Sequence, residues 1–223
     1  MKNPFVSIAP SDNEKFYGSR KQFFNTLSNA VDANIAVDEN KLVVLMGGYG
    51  SGKTFFLEKL KEHASKKKIL SYIFYFTPAL YSQLKDDIVF PKSKTDIIVI
   101  IDRFEFSEYM KEDYVKKVLN LLDEMRSKKN VVFVISTVED NWKKLVKKYK
   151  SLKNSEVYKV PGLIFSEAVE LVKSRLKKVS KRGLYPFTKQ DIKKIWDESN
   201  GNPRMMLMLC YEIFEQKIKS RKK

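Results

Sequence analysis

This sequence of 223 residues lacks the features of secreted, membrane-spanning and disulfide-bonded proteins. Its one cysteine, Cys210, excludes an intrachain disulfide, and among methionines and leucines we expect it to be a small buried hydrophobe. The sequence has no apolar run near the roughly 20 residues that cross a bilayer. Its first residues also lack the apolar centre of a signal peptide. We therefore expect a cytoplasmic protein with no membrane partner.

Disorder and repeat architectures are equally disfavoured. The chain is 43% hydrophobic and 31% charged, which is typical of a globular protein. We find no internal repeat and no low-complexity linker. This length allows one medium domain, or a larger domain with a small one.

The formal net charge of +16 is a strong signal, since so basic a chain attracts polyanions. We predict a nucleic-acid partner, DNA rather than RNA. The alternative is a generic lysine-rich surface, such as proteins of heat-loving hosts carry. The lysines are scattered in clusters, which keeps that alternative open. An anionic membrane is a weaker candidate, because no predicted helix pairs its lysines with a large apolar face.

A glycine-rich segment, residues 47–54, has the spacing G-x-x-x-x-G-K-T. It follows an apolar run at Leu42 to Met46 and precedes a predicted helix, the strand–loop–helix context of a phosphate-binding loop. Glycines let backbone N–H groups approach phosphate oxygens, and the helix N-terminus adds a positive dipole end. Lys53 is expected to reach the terminal phosphates and Thr54 to hold Mg²⁺. The predicted nucleotide-binding residues here are Gly47, Gly48, Tyr49, Gly50, Ser51, Gly52, Lys53, Thr54 and Phe55.

Apolar segments alternating with helical patterns predict an α/β domain with a central parallel sheet. The five predicted strands are residues 42–46, 69–76, 97–102, 131–137 and 156–160. Ser19 is predicted to cap a helix that runs to about Ala33 before the first strand, and one long helix is expected over 108–127. After Pro161 the pattern is helical throughout, with Ser166 and Thr188 as predicted caps. We therefore expect an α/β domain over residues 1–161, with an extended lead-in to residue 15, and a small helical lid over 162–223.

Polar residues end two of the predicted strands. Asp102 closes an unbroken apolar run, where a carboxylate can hold the water shell of the Mg²⁺ that Thr54 binds; capping the next turn is the alternative. The next residue is Arg103, where a glutamate commonly polarises the attacking water. Glu105 is a candidate for that role, or a surface charge. Ser136 and Thr137 are candidates to face the γ-phosphate, or are ordinary strand-end hydroxyls.

The segment Gly201-Asn202-Pro203-Arg204 opens the last predicted helix, where proline suits the first turn. A guanidinium fork matches phosphate oxygens, so Arg204 is a candidate to reach the γ-phosphate from the lid. A solvent-exposed arginine is the alternative.

Together these motifs resemble the AAA+ ATPases, most nearly their origin-recognition and initiator branch with its archaeal relatives. Residues 47–54 match Walker A, and residues 98–102 match Walker B. Ser136 or Thr137 lies at the sensor 1 position, and residues 201–204 resemble sensor 2. Phe16-Tyr17-Gly18-Ser19-Arg20 resembles a segment that touches the adenine side, which makes Gly18 a cofactor-binding candidate. The resemblance covers residues 14 to 215 and implies ATP and Mg²⁺ as cofactors.

The sequence also departs from that family. Arg103 replaces the Walker B glutamate. The segment expected to carry an intersubunit arginine finger, residues 142–160, contains lysines but no arginine. There is little room for a DNA-gripping insert between the second and third strands. The main hypothesis is a minimal ATPase that remodels or loads onto nucleic acid, with a homo-oligomer or protein partner. A nucleotide-gated adaptor with little turnover is the alternative, and a small-molecule kinase is a distant third.

Overall fold

A computed structural model describes residues 3–7, 18–36, 42–88, 95–127, 130–177, 179 and 183–219. The chain forms two compact units. The first contains Met1–Phe24, Gly50–Gly52 and Pro161–Lys223, and the second contains Asn25–Tyr49 and Lys53–Val160. In the part of the chain described, no helix has the length and apolar character needed to cross a membrane.

The second unit is built on a five-stranded sheet in which every pairing is parallel. The strands are β1 Leu42–Met46, β2 Leu70–Tyr75, β3 Ile97–Asp102, β4 Val131–Thr137 and β5 Glu156–Lys159. Their order in the sheet is β2-β3-β4-β1-β5. The phosphate-loop strand β1 therefore lies between β4 and β5, with β3 on the far side of β4. All residues of β1, β3 and β4 are buried, as expected for continuous apolar runs in a parallel sheet.

Alternate side chains of the sheet form a core with three helices, α3 Leu80–Asp86, α4 Glu112–Arg126 and α5 Glu139–Lys148. The side chains of the opposite alternation, such as Val43 and Ile100, are buried as well. This alternation follows from the two-residue period of a strand. The helices of the chain are α1 Gly18–Ala36, α2 Lys53–Lys66, α3 Leu80–Asp86, α4 Glu112–Arg126, α5 Glu139–Lys148, α6 Phe165–Leu176, α7 Lys189–Ser199 and α8 Pro203–Lys219.

The single helix predicted over 108–127 is wrong in its first part. The structure has a 3-10 helix at Phe104–Tyr109, followed by α4 from Glu112. Lys111 between them is extended, with ψ 139°. The sequence pattern missed this break because no glycine or proline marks it.

The helical part of the first unit has its own core, formed by α6, α7, α8 and Phe5. Phe5 is 1% exposed and packs edge-to-face on Phe187 and Phe214, so this part of the predicted lead-in is a turn buried in the helical core. The rest of that lead-in from residue 8, and the following Phe16 and Tyr17, lie outside the described residues.

Of the predicted helix caps, Thr188 is confirmed. Its Oγ1 accepts a hydrogen bond from the backbone N–H of Asp191 at 3.1 Å. The prediction for Ser166 is wrong, because α6 begins one residue earlier and Glu167 accepts the N–H of Ile164 at 3.0 Å. Ser19 is not a cap either, since its hydroxyl donates to Glu167 at 2.9 Å inside α1.

Gly201 is required by the backbone that leads into α8. Its φ is +68°, and an added Cβ would lie 2.6 Å from the carbonyl oxygen of Leu163. The carbonyl of Gly201 in turn accepts the N–H of Leu163 at 2.8 Å. We expect Gly201→Ala to destabilise the helical core by about 1–3 kcal/mol, since the left-handed conformation is strained and the contact is with backbone. Thermal unfolding measures this, with the exposed Gly183→Ala, which meets no atom within 4 Å, as the control for positive φ alone.

Candidate functional site

The phosphate-binding loop leaves the carboxyl end of β1 and enters α2 at Lys53. The N–H of Gly47 donates to the carbonyl of Thr137 at 3.1 Å, which extends the β1–β4 pairing into the loop. The Lys53 ammonium donates to the carbonyls of Gly47 at 2.8 Å and Gly48 at 3.3 Å. Lys53 is 7% exposed, so the loop backbone holds its charge close to the chain. A cation fixed there can bind phosphate oxygens.

Other predicted nucleotide contacts lie on both sides of this lysine. Tyr49 is 63% exposed, and its ring centroid is 5.8 Å from the Lys53 ammonium. Phe55 is half-buried, and the Lys59 ammonium lies 5.6 Å from its ring centroid. The Ser51 hydroxyl oxygen is buried without a hydrogen-bond partner among the described residues.

A hydroxyl and a carboxylate meet where α2 approaches the end of β3. Thr54 donates through Oγ1 to Oδ2 of Asp102 at 2.7 Å. The other carboxylate oxygen, Oδ1, accepts a short hydrogen bond from the Ser136 hydroxyl and one from the N–H of Arg103 at 2.9 Å. Asp102 is 1% exposed, so its orientation is fixed. The structure thus brings together three residues that sequence reasoning selected on three separate elements.

These donors suit Mg²⁺, which prefers oxygen ligands and takes few of them from the protein. Thr54 and Asp102 offer one hydroxyl and one carboxylate. Among the described residues there is no group of three acidic, histidine or cysteine side chains that could hold a metal alone. A metal at this position would therefore also depend on phosphate oxygens and water.

The residue after Asp102 contacts this carboxylate through its backbone N–H, while its side chain lies at Tyr75. Arg103 has the left-handed φ of 60°, and its guanidinium lies 5.4 Å from the ring centroid of Tyr75. It is exposed at the surface. Arg103 therefore occupies the sequence position of the usual glutamate without taking its place in the site.

Glu105, on the 3-10 helix, is the carboxylate that faces the phosphate loop. It is 4% exposed, and its Oε1 lies 4.0 Å from the Lys53 ammonium. Its Oε2 is buried without a hydrogen-bond partner among the described residues. Burial raises the pKa of Glu105 above its ordinary value, and a hydrogen bond from its own backbone N–H and the charge of Lys53 partly offset this rise. A buried carboxylate with a raised pKa and a free oxygen is a candidate proton acceptor.

The second strand-end hydroxyl joins a different hydrogen-bond chain. Thr137 donates to Oδ1 of Asn141 at 2.9 Å, and the Asn141 amide nitrogen lies 3.2 Å from the Ser107 hydroxyl. All three residues are buried. Asn141 thereby ties the end of β4 to the 3-10 helix that carries Glu105. Sequence reasoning missed Asn141, although it lies in the first turn of the helix after a candidate strand end.

In the first unit, the start of α8 contacts the tip of the phosphate loop. The N–H of Arg204 donates to the carbonyl of Gly50 at 3.3 Å and to Oδ1 of Asn202 at 3.1 Å. Gly50 has φ +77°, and a Cβ there would lie 2.7 Å from the Cβ of Arg204. The Arg204 side chain is exposed. The structure thus places the backbone of the predicted sensor residue at the loop tip.

Gly18 and Arg20, at the start of α1, contact other residues of the first unit. A Cβ on Gly18, whose φ is +47°, would lie 2.6 Å from Oε1 of Glu167, so this glycine allows the carboxylate to approach α1. Arg20 is 5% exposed and donates to the carbonyls of Ser51 at 2.9 Å and Pro161 at 2.7 Å. Sequence reasoning quoted Arg20 only as part of a resemblance and gave it no role.

The fold and these contacts define a P-loop NTPase of the AAA+ type. Residues 24–182 match the novel STAND NTPase 3 family, and the chain belongs to that family. No curated protein matches the sequence.

Solved structures share the fold at low sequence identity. The chain has a TM-score of 0.69 and 14% identity to a chain of Drosophila ORC bound to DNA, with 98% of this chain and 60% of that one covered. The Aeropyrum pernix ORC1 protein in complex with DNA gives a TM-score of 0.64 and 18% identity, with 100% of this chain and 65% of that one covered. Thermotoga maritima RuvB gives a TM-score of 0.63 and 15% identity, with 96% of this chain and 68% of that one covered. The chain thus spans less than two thirds of either ORC chain. These likenesses confirm that its fold is that of the initiator-like AAA+ ATPases.

Proposed function

We propose that this chain binds ATP with Mg²⁺ and hydrolyses it, and that the nucleotide state controls its binding to nucleic acid. The observation that carries the enzymatic part is the placement of Glu105. This buried carboxylate lies 4.0 Å from the Walker A lysine, and one of its oxygens has no hydrogen bond to any described residue. A surface charge would be solvated, so Glu105 is better suited to accept a proton than to interact with solvent.

Each site residue then has a distinct role. Lys53 and the loop N–H groups bind the phosphates, and Thr54 and Asp102 hold Mg²⁺. The metal, when bound, neutralises charge on the phosphate oxygens. Glu105 orients the attacking water and takes its proton, while Ser136 keeps Asp102 in place. Arg204, whose backbone N–H contacts Gly50, contributes its guanidinium to the terminal phosphate.

The alternative is a nucleotide-gated adaptor that binds ATP and turns it over slowly. The observation that favours it is Arg103, which stacks on Tyr75 at the position of the usual glutamate. Steady-state release of phosphate by the wild type distinguishes the two. Turnover that depends on Mg²⁺ and on Glu105 supports the enzyme, and ATP binding without turnover supports the adaptor.

The nucleic-acid part rests on the net charge of +16 and on the fold shared with ORC structures that were solved with DNA. We expect affinity for DNA to fall at least tenfold between about 50 and 200 mM salt, because each phosphate contact releases counterions. We also expect ATP to change this affinity. Fluorescence anisotropy with single-stranded DNA, duplex DNA and RNA of equal length measures both effects.

The control for this measurement is Lys53→Ala, which should keep the salt dependence and lose the response to ATP. The nucleic-acid part fails if DNA affinity is insensitive to salt and equal with and without ATP. In that case an acidic protein partner, or a second copy of the chain, would be the remaining candidate for a nucleotide-controlled interaction.

A further inference from the structure

Arg20 is a buried arginine whose guanidinium donates to two backbone carbonyls. One, from Ser51, belongs to the phosphate loop, and the other, from Pro161, belongs to the segment that leads into α6. Burial lowers the pKa of Arg20 to about 10, and the nearby charge of Glu167 raises it. The two carbonyl contacts therefore place a desolvated cation at the backbone of the phosphate loop.

The direction of the Ser51 carbonyl determines the direction of the next N–H. In a trans peptide the C=O and the following N–H point in opposite directions. The carbonyl of Ser51 points at Arg20, so the N–H of Gly52 points away from Arg20. The missing side chain of Gly52 agrees with this arrangement, because a Cβ at its φ of +95° would lie 2.7 Å from Nη2 of Arg20. The guanidinium thus occupies one side of this peptide, and the Gly52 N–H points to the other side.

Glu167 fixes Arg20 from the opposite side. Its Oε1 accepts the backbone N–H of Arg20 at 3.1 Å and the Ser19 hydroxyl at 2.9 Å. Its Oε2 accepts the N–H of Ile164 at 3.0 Å. The carboxylate is 2% exposed and joins the start of α1 to the start of α6. With its backbone held in this way, Arg20 has a defined position from which its two carbonyl contacts follow.

We propose that Arg20 is a positioning residue of the phosphate loop, which orients the Ser51–Gly52 peptide so that the Gly52 N–H donates to a phosphate of the nucleotide. This inference rests on the proposed binding of ATP. Arg20 itself does not touch the ligand. Its effect should therefore be confined to phosphate-bearing ligands, because adenosine offers nothing for the Gly52 N–H to bind.

The test compares ATP, ADP and adenosine on the wild type, Arg20→Lys and Arg20→Gln. A lysine keeps the charge but cannot donate to both carbonyls as a planar fork does. We expect about tenfold weaker ATP and ADP binding for Arg20→Lys and about a hundredfold for Arg20→Gln, as for a lost hydrogen bond to a charged group. Adenosine affinity, followed by ligand-observed NMR, should stay within about twofold, which is about 0.4 kcal/mol.

The matched control is Arg175→Gln. Arg175 is also buried in the first unit, at 2% exposed, and also donates to a backbone carbonyl, that of Ser7 at 2.7 Å. This variant should bind ATP as the wild type does. The proposal is overturned if Arg20→Lys binds ATP like the wild type, if ATP and adenosine lose affinity equally, or if Arg175→Gln has the same effect.

A measurement on the wild type keeps the proposal testable if the Arg20 variants do not fold. The amide proton of Gly52 should move downfield in NMR spectra when ATP or ADP is added and should not move with adenosine. An amide resonance that ignores the phosphates would overturn the proposal. A wild type that binds no nucleotide at all would instead overturn the proposed function, and the two failures are therefore distinguishable.

Discussion

Replacing Lys53 by alanine is expected to abolish the stabilisation of this protein by ATP. In the wild type, ATP at about 100 times its Kd should contribute about 2.7 kcal/mol. For a chain of this size that raises the Tm by about 5–10 °C. The Lys53 ammonium is a buried cation of the loop and donates to the carbonyls of Gly47 and Gly48, so the substitution removes the positive charge proposed to bind the terminal phosphates. The measurement is the Tm with and without ATP and Mg²⁺.

The comparison uses the shift caused by ATP and not the Tm itself, because Lys53→Ala also leaves Glu105 without its nearby cation. Lys59→Ala is the matched control. Lys59 lies on the same helix α2 and pairs with Glu62 at 2.7 Å. It should keep the full ATP shift. An unchanged shift in Lys53→Ala would mean that the loop does not bind the triphosphate.

Replacing Glu105 by glutamine is expected to lower turnover by about a hundredfold or more while ATP binding is kept, since a general base contributes at least that much. Glutamine has the same shape and cannot accept the proton. If Glu105 is the base, the wild-type rate should also fall on acidification at a higher pH than an ordinary glutamate would give, because burial raises its pKa. Phosphate release as a function of pH measures both effects.

The same substitution should raise the Tm at neutral pH. Because the folded-state pKa of Glu105 is above its unfolded value, the folded chain binds more protons, and stability decreases as pH rises between the two values. Glutamine removes that loss, so the gain in Tm should be absent well below the ordinary glutamate pKa and present above the raised one. If Glu105→Gln lowers turnover and raises the Tm, then Glu105 contributes to activity at the expense of stability.

Glu108→Gln on the same 3-10 helix is the matched control. Glu108 is exposed, and the hydrogen bond from Lys144 holds its pKa below its ordinary value. The ionised Glu108 therefore stabilises the folded state, whereas the ionised Glu105 destabilises it. We expect turnover like the wild type and no gain in Tm. Normal turnover in Glu105→Gln would favour the adaptor and remove Glu105 from the mechanism.

The order of elements could be predicted from the sequence because each carries a local signal. The central strands β3 and β4 have the predicted bounds, since an unbroken apolar run suits only a strand buried on both faces. The loop at residues 47–54 was found because the spacing of its glycines is set by how the backbone must wrap around a phosphate. The 3-10 helix before α4 was not found, since Arg103 and Lys111 leave helical geometry with no glycine or proline to mark it.

The partners of the site residues were only partly predictable. Thr54 and Asp102 were expected to serve the same Mg²⁺, and in the structure their side chains are hydrogen-bonded. From the sequence, Glu105 was a candidate either for the base or for a surface charge. The 3-10 helix, which the sequence pattern did not predict, is what buries Glu105 beside Lys53. Asn141 and Glu167 were not selected, since a lone polar residue on a helix has no distinctive spacing.

The sequence by itself determined that this is a P-loop NTPase of α/β class, because strand periodicity and a glycine-lysine-threonine loop are local properties of the chain. Only the tertiary structure decided which carboxylate faces Lys53 and what Arg20 contacts. These contacts join residues far apart in the chain, as Arg20 and Pro161 are, and depend on how buried polar groups are satisfied at the same time. No pattern of neighbouring residues encodes such a contact.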